Sequence, residues 1–126
     1  MPDTPLRLGK LTLHTLPFLS PQAYDELLWR CDFNFVRGED SFVRAQWAAK
    51  PFVWHIYPQD DGAHQSKLAA FLQRYLEGAP ESTQTAVKAM HEAWNSLTAH
   101  PAAIEYAWQG LLAQHRAIQA HGQDWC

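Results

Sequence analysis

Asn34-Phe35-Val36-Arg37-Gly38-Glu39-Asp40-Ser41-Phe42-Val43-Arg44-Ala45-Gln46-Trp47 runs an apolar stretch into an Arg-Gly corner and then straight into a helix-forming segment. An α/β protein builds an anion site in this way. The helix offers unpaired backbone N–H groups and the positive end of its dipole, Gly38 lets the chain turn tightly, and Arg37 supplies a fixed fork for phosphate. Asp40 or Ser41 is the expected N-cap, and Val43 and Trp47 lie one turn apart on a common face. Lys50-Pro51 ends the helix, and Phe52-Val53-Trp54-His55-Ile56-Tyr57 reads as a strand covered on both faces. Strand, helix and strand form the unit whose strand ends carry ligands in doubly wound sheets.

Towards the N-terminus, Lys10-Leu11-Thr12-Leu13-His14 alternates polar and apolar side chains, as a half-buried strand does. Pro17 and Pro21 bracket a loop holding Phe18, and Tyr24, Leu27, Leu28 and Cys31 then recur at helical spacing. Towards the C-terminus, Leu68, Phe71, Leu72, Tyr75 and Leu76 make an apolar stripe closed by Gly78. Beyond Pro80 only helices are expected. Val87, Met90 and Trp94 mark one; Ile104, Trp108, Leu111, Leu112, His115 and Ile118 mark another, with Pro101 at its start and Gly122 as its stop. The expected fold is α/β: a Rossmann-like parallel sheet of three or more strands over residues 1–80, and an α-helical C-terminal extension over residues 81–126 packed on it.

At 126 residues the chain allows one modest core. Net charge is −3 and the ten Lys and Arg residues are dispersed, which leaves no electrostatic footprint for nucleic acid. A bound phosphate should therefore belong to a small ligand. Cys31 and Cys126 form neither a disulfide framework nor a zinc motif, so a reducing, cytoplasmic setting is expected. No signal pattern opens the chain and no apolar run approaches the roughly 18 residues of a membrane span.

The stretch from Arg37 to Trp47, followed by Lys50-Pro51-Phe52-Val53-Trp54-His55-Ile56-Tyr57-Pro58-Gln59, resembles the C-terminal, donor-binding half of the EarP family. These are bacterial protein-arginine rhamnosyltransferases that modify translation elongation factor P, and the likeness extends more loosely from Leu16 to Leu76. The resemblance implies the C-terminal lobe of a GT-B glycosyltransferase, with dTDP-β-L-rhamnose as donor and an arginine of elongation factor P as acceptor in an inverting transfer. Such enzymes place the active site between two lobes and need no metal or other cofactor. Nothing here resembles the N-terminal lobe, which carries the family's general base. The isolated chain is therefore expected to be inactive unless that lobe is supplied in trans.

Arg37 is the expected diphosphate ligand, its alternative being a salt bridge to Glu39 or Asp40. The resemblance assigns Glu39, Asp40 and Ser41 to the nucleotide-sugar site, with Glu39 expected to influence the chemistry as well; helix capping is the alternative for Asp40. Tyr57, at a strand end, should emerge at the same sheet edge as Arg37 and donate to a phosphate oxygen. Phe18 is either a platform for the thymine base or ordinary core. Asp60, Asp61, His64 and His55 do not make a convincing metal set, and His91, His100, His115 and His121 are expected on the surface of the helical tail. A reading from another class is a noncatalytic Rossmann-like remnant whose aromatic tail docks a partner protein, since the chain carries six tryptophans.

Overall fold

The computed structural model describes residues 5–58, 62–96 and 98–125. It is an α/β arrangement in the order β1 (Leu6–Leu8), β2 (Leu11–Leu13), α1 (Pro21–Arg30), β3 (Asn34–Val36), α2 (Glu39–Ala48), β4 (Phe52–Trp54), α3 (Ala63–Tyr75), α4 (Glu81–Asn95), α5 (Pro101–Ala113) and α6 (His115–Trp125). β3 and β4 pair in parallel, with Phe35 opposite Val53, and α2 makes the crossover between them. All of β4 is buried, as its unbroken apolar run requires.

The alternating segment near the N-terminus is a strand, but it does not join the parallel pair. Leu11–Leu13 folds back on Leu6–Leu8 as an antiparallel hairpin, Leu8 opposite Leu11, around a turn in which Gly9 has φ 65°. Among the described residues the parallel sheet therefore has two strands. The expected N-cap of α2 is also displaced. Gly38 occupies it, with ordinary extended backbone at φ −67° and no capping side chain. The common face of Val43 and Trp47 is turned to solvent, and α2 buries Ala45 while packing Phe42 inwards.

The helical segment is interlocked with the sheet. Val87 and Met90 of α4, Ala107 and Leu111 of α5 and Ile118 of α6 belong to the same core as Val36, Val53 and Trp54. An aromatic ladder crosses this core: Trp54 stacks on Phe42 at 3.7 Å, Phe71 meets Phe42 edge-on at 4.6 Å, and Tyr75 lies on Phe71 at 5.2 Å. The apolar series from Ile104 to Ile118 is two helices. Gln114 separates them, and its side chain accepts a 2.7 Å hydrogen bond from the buried Thr83 hydroxyl. Gly122 does not stop a helix but lies buried inside α6, where an added Cβ would stand 3.3 Å from the Ala49 carbonyl oxygen.

Candidate functional site

Arg37 and Gly38 follow the end of β3, and Tyr57 stands three residues past the end of β4. Because the strands run parallel, both segments leave the sheet at the same edge. The Arg37 guanidinium carbon lies 4.6 Å from the centre of the Tyr57 ring. This cation–π contact aligns the fork without using up its N–H donors. The Tyr57 hydroxyl is beside the helix entrance, 3.9 Å from where a Cβ on Gly38 would be. Arg37 and Tyr57 are both exposed, so a ligand can reach them.

The N-terminus of α2 is the third component. No side chain caps it, so the backbone N–H groups of its first turn are left for water or a ligand, where the helix dipole favours an anion. Glu39 and Asp40 occupy that turn and both are exposed. Asp40 is drawn along the helix, accepting from Arg44 Nε at 3.2 Å. Arg44 also donates at 2.8 Å to each carboxylate oxygen of Asp25 on α1. Asp40 is thus neither a cap nor Arg37's ion-pair partner, and its charge is balanced away from the corner. Ser41 is half-buried one position further on. Phe18 is fully exposed at 102%, which removes the core alternative, but the structure does not gather it against Arg37 or Tyr57.

A cleft of about 410 Å³ opens next to this corner, lined by Phe35, Val36, Arg37, His55, Trp94 and Ile104. Burial and, secondarily, the Arg37 charge push the pKa of His55 down. The cleft therefore combines one permanent cation with a ring that favours the neutral form. A larger groove between α4 and α5 is lined by small residues such as Ala86, Ala89 and Gly110 together with Glu81, Thr85 and Gln114, and among the described residues no cation lines it. Convergent polar chemistry is found at the β3–α2 corner.

Two features escaped the sequence reading. The Asp25–Arg44 pair ties α1 to α2 across nineteen positions, and its partners have no local spacing signal. His91 is buried at 1% exposure, contrary to the surface position expected. Its place four residues after Val87 and next to Met90, on the apolar stripe of α4, was the available signal. His55 and His64 form no metal-binding cluster among the described residues, while Asp60 and Asp61 lie outside them. Cys31 is a free, half-buried thiol, and Cys126 also lies outside the described residues. No helix among the described residues is long and apolar enough to cross a membrane.

The family model for the elongation-factor-P (EF-P) rhamnosyltransferase EarP matches residues 1–126. The chain is 46% identical to a protein-arginine rhamnosyltransferase of Shewanella oneidensis, over 99% of this chain and 31% of that protein. It is 45% identical to the protein of the same name from Pseudomonas putida, over 93% of this chain and 30% of the other. A Neisseria meningitidis relative of that name is 39% identical over 93% of this chain and 31% of its own length. A solved chain described under the structural basis for EarP-mediated arginine glycosylation of translation elongation factor EF-P superposes with TM-score 0.78 at 40% identity, covering 98% of this chain and 39% of that one. The chain thus spans about a third of the length of the curated relatives it matches.

Proposed function

The chain belongs to the EarP family of elongation-factor-P rhamnosyltransferases, and from that premise we propose that it is the C-terminal, donor-binding part of a GT-B protein-arginine rhamnosyltransferase. The donor is dTDP-β-L-rhamnose. Its diphosphate lies against the first turn of α2, held by backbone N–H groups, the Arg37 guanidinium and the Tyr57 hydroxyl. Glu39 accepts from donor hydroxyls, Asp40 and Ser41 complete the turn around the nucleotide sugar, and Phe18 closes on the thymine. The observation that carries this reading is the meeting of Arg37 and Tyr57, 4.6 Å apart, at an uncapped helix N-terminus.

In the reaction, an arginine nitrogen of elongation factor P attacks the anomeric carbon from the face opposite the diphosphate. The bond from that carbon to the leaving oxygen breaks, the configuration inverts, and dTDP departs with the bonding electrons. Arg37, Tyr57 and the helix dipole stabilise the negative charge that builds on the diphosphate, so no metal is needed for that task. The proton lost by the arginine goes to a base on the N-terminal lobe. Glu39, at the corner, is placed to orient the sugar for the displacement. The setting is the cytoplasm, where the acceptor protein and the nucleotide sugar are both available.

Mixing this chain with the remaining N-terminal portion of a relative tests the proposal. Rhamnose on the acceptor arginine, detected by intact-protein mass, is expected only when both portions and dTDP-β-L-rhamnose are present. A mixture that binds dTDP but never modifies elongation factor P would contradict the transfer role.

A further inference from the structure

The corner that carries Arg37 is braced from behind by a set of hydrogen bonds meeting at Trp54. The Trp54 indole N–H donates to the Arg37 carbonyl oxygen at 2.9 Å, and the ring is stacked on Phe42 of α2 with the planes 8° apart. Trp54 thus touches both sides of the corner, the residue before Gly38 and the helix after it. Its own backbone is held by α4. The Trp54 N–H donates to His91 Nε2 at 3.1 Å, and the Trp54 carbonyl accepts from Asn95 Nδ2 at 2.9 Å. Asn95 Oδ1 accepts from the Ile56 N–H at 2.9 Å, while on the opposite edge the His55 N–H donates to the Val36 carbonyl at 2.8 Å. The Asn95 amide offers β4 the donor and acceptor that a peptide group of a neighbouring strand would offer.

His91 is fixed in turn, its Nδ1 2.9 Å from the Val87 carbonyl. Because Nε2 accepts from Trp54, Nδ1 carries the proton and donates to Val87. Asn95 Nδ2 also donates to the His91 carbonyl at 2.8 Å. Residues 54–56 are therefore bonded on both edges up to the residue before Tyr57. We infer that Trp54, clamped by His91 and Asn95, is a positioning residue that sets the Arg37–Gly38 corner and Tyr57 for an incoming nucleoside diphosphate. The ligand part of this inference rests on the donor-site reading above.

The test uses the full chain, with dTDP as the probe. Trp54→Phe keeps an aromatic ring against Phe42 and deletes the indole donor. It is expected to move the Arg37, Gly38 and Glu39 amide resonances of the free protein and to weaken dTDP binding about fivefold to tenfold. Asn95→Asp keeps an acceptor for the Ile56 N–H but sets a carboxylate against the Trp54 carbonyl. It is expected to speed hydrogen exchange at the Trp54 and Ile56 amides and to weaken dTDP to a similar degree. Leu111→Val breaks none of these bonds, and should lower Tm without moving the corner resonances or the Kd. Corner resonances that stay put in both Trp54→Phe and Asn95→Asp overturn the inference, whether or not dTDP binds. An affinity loss in Leu111→Val equal to that in Trp54→Phe also overturns it, because general loosening then accounts for the effect. A wild-type chain that ignores dTDP, with resonances that do move in the two variants, supports the brace and instead removes the donor-site reading.

Discussion

Arg37 and Tyr57 meet at one sheet edge because each follows the end of one of two parallel strands, which leaves the guanidinium carbon 4.6 Å from the centre of the ring. Gly38 was read for a backbone freedom it does not use. Its φ of −67° suits any residue, and an added Cβ would meet the Tyr57 hydroxyl only at ordinary contact distance, 3.9 Å. Gly38→Ala is accordingly expected to fold, losing at most about 1 kcal/mol through poorer capping, as read by urea denaturation. A loss of several kcal/mol would show that the corner needs glycine after all. Asp40 defeated the capping expectation because it sits inside the first turn, where its carboxylate meets Arg44 one turn along, and Arg44 is also held by Asp25. That long-range partner has no local trace in the sequence.

Among the elements, α3 and α4 were the most legible, since each carries an apolar stripe that reaches the common core. Strand pairing was less so. Leu11–Leu13 has the alternation of a half-buried strand, yet its Leu11 and Leu13 side chains are 54% and 45% exposed in a hairpin closed at Gly9. Alternation specifies a strand but not its neighbour. The edge of β4 was also hidden, because its partners are side chains of a helix 37 and 41 positions away. This edge has a pH signature. Burial, only partly offset by the bond to the Val87 carbonyl, pushes the His91 pKa down from 6.5 to about 4. Between those values the unfolded chain takes up a proton that the folded chain refuses, so stability falls as pH drops through this window and levels off below it. The full difference is about 3 kcal/mol. In urea titrations between pH 7 and pH 4, His91→Gln should lose less stability than the wild type; an equal loss would mean that His91 accepts the proton in place.

For the whole molecule, the helices beyond residue 80 share one core with the sheet, where Val87, Met90, Leu111 and Ile118 join Val53 and Trp54. A chain ending at residue 80 would expose that surface and lose the His91 and Asn95 bonds to β4. It is expected to show no cooperative thermal transition by circular dichroism, and a sharp one would make residues 1–80 self-sufficient. The family was legible because the resemblance rests on two adjacent local stretches, Arg37 to Trp47 and Lys50 to Gln59, whereas the interlock with the helices is a matter of distant pairs. On the proposed function, the β3–α2 corner binds the diphosphate of a thymidine nucleotide. The most direct test is a calorimetric titration of the intact chain with dTDP, with UDP as comparator and Arg37→Ala as control. Saturable binding of dTDP, weaker for UDP and reduced at least about tenfold in Arg37→Ala, is the predicted result. Binding that is unchanged in Arg37→Ala, or no binding by a chain shown to be folded, would contradict it.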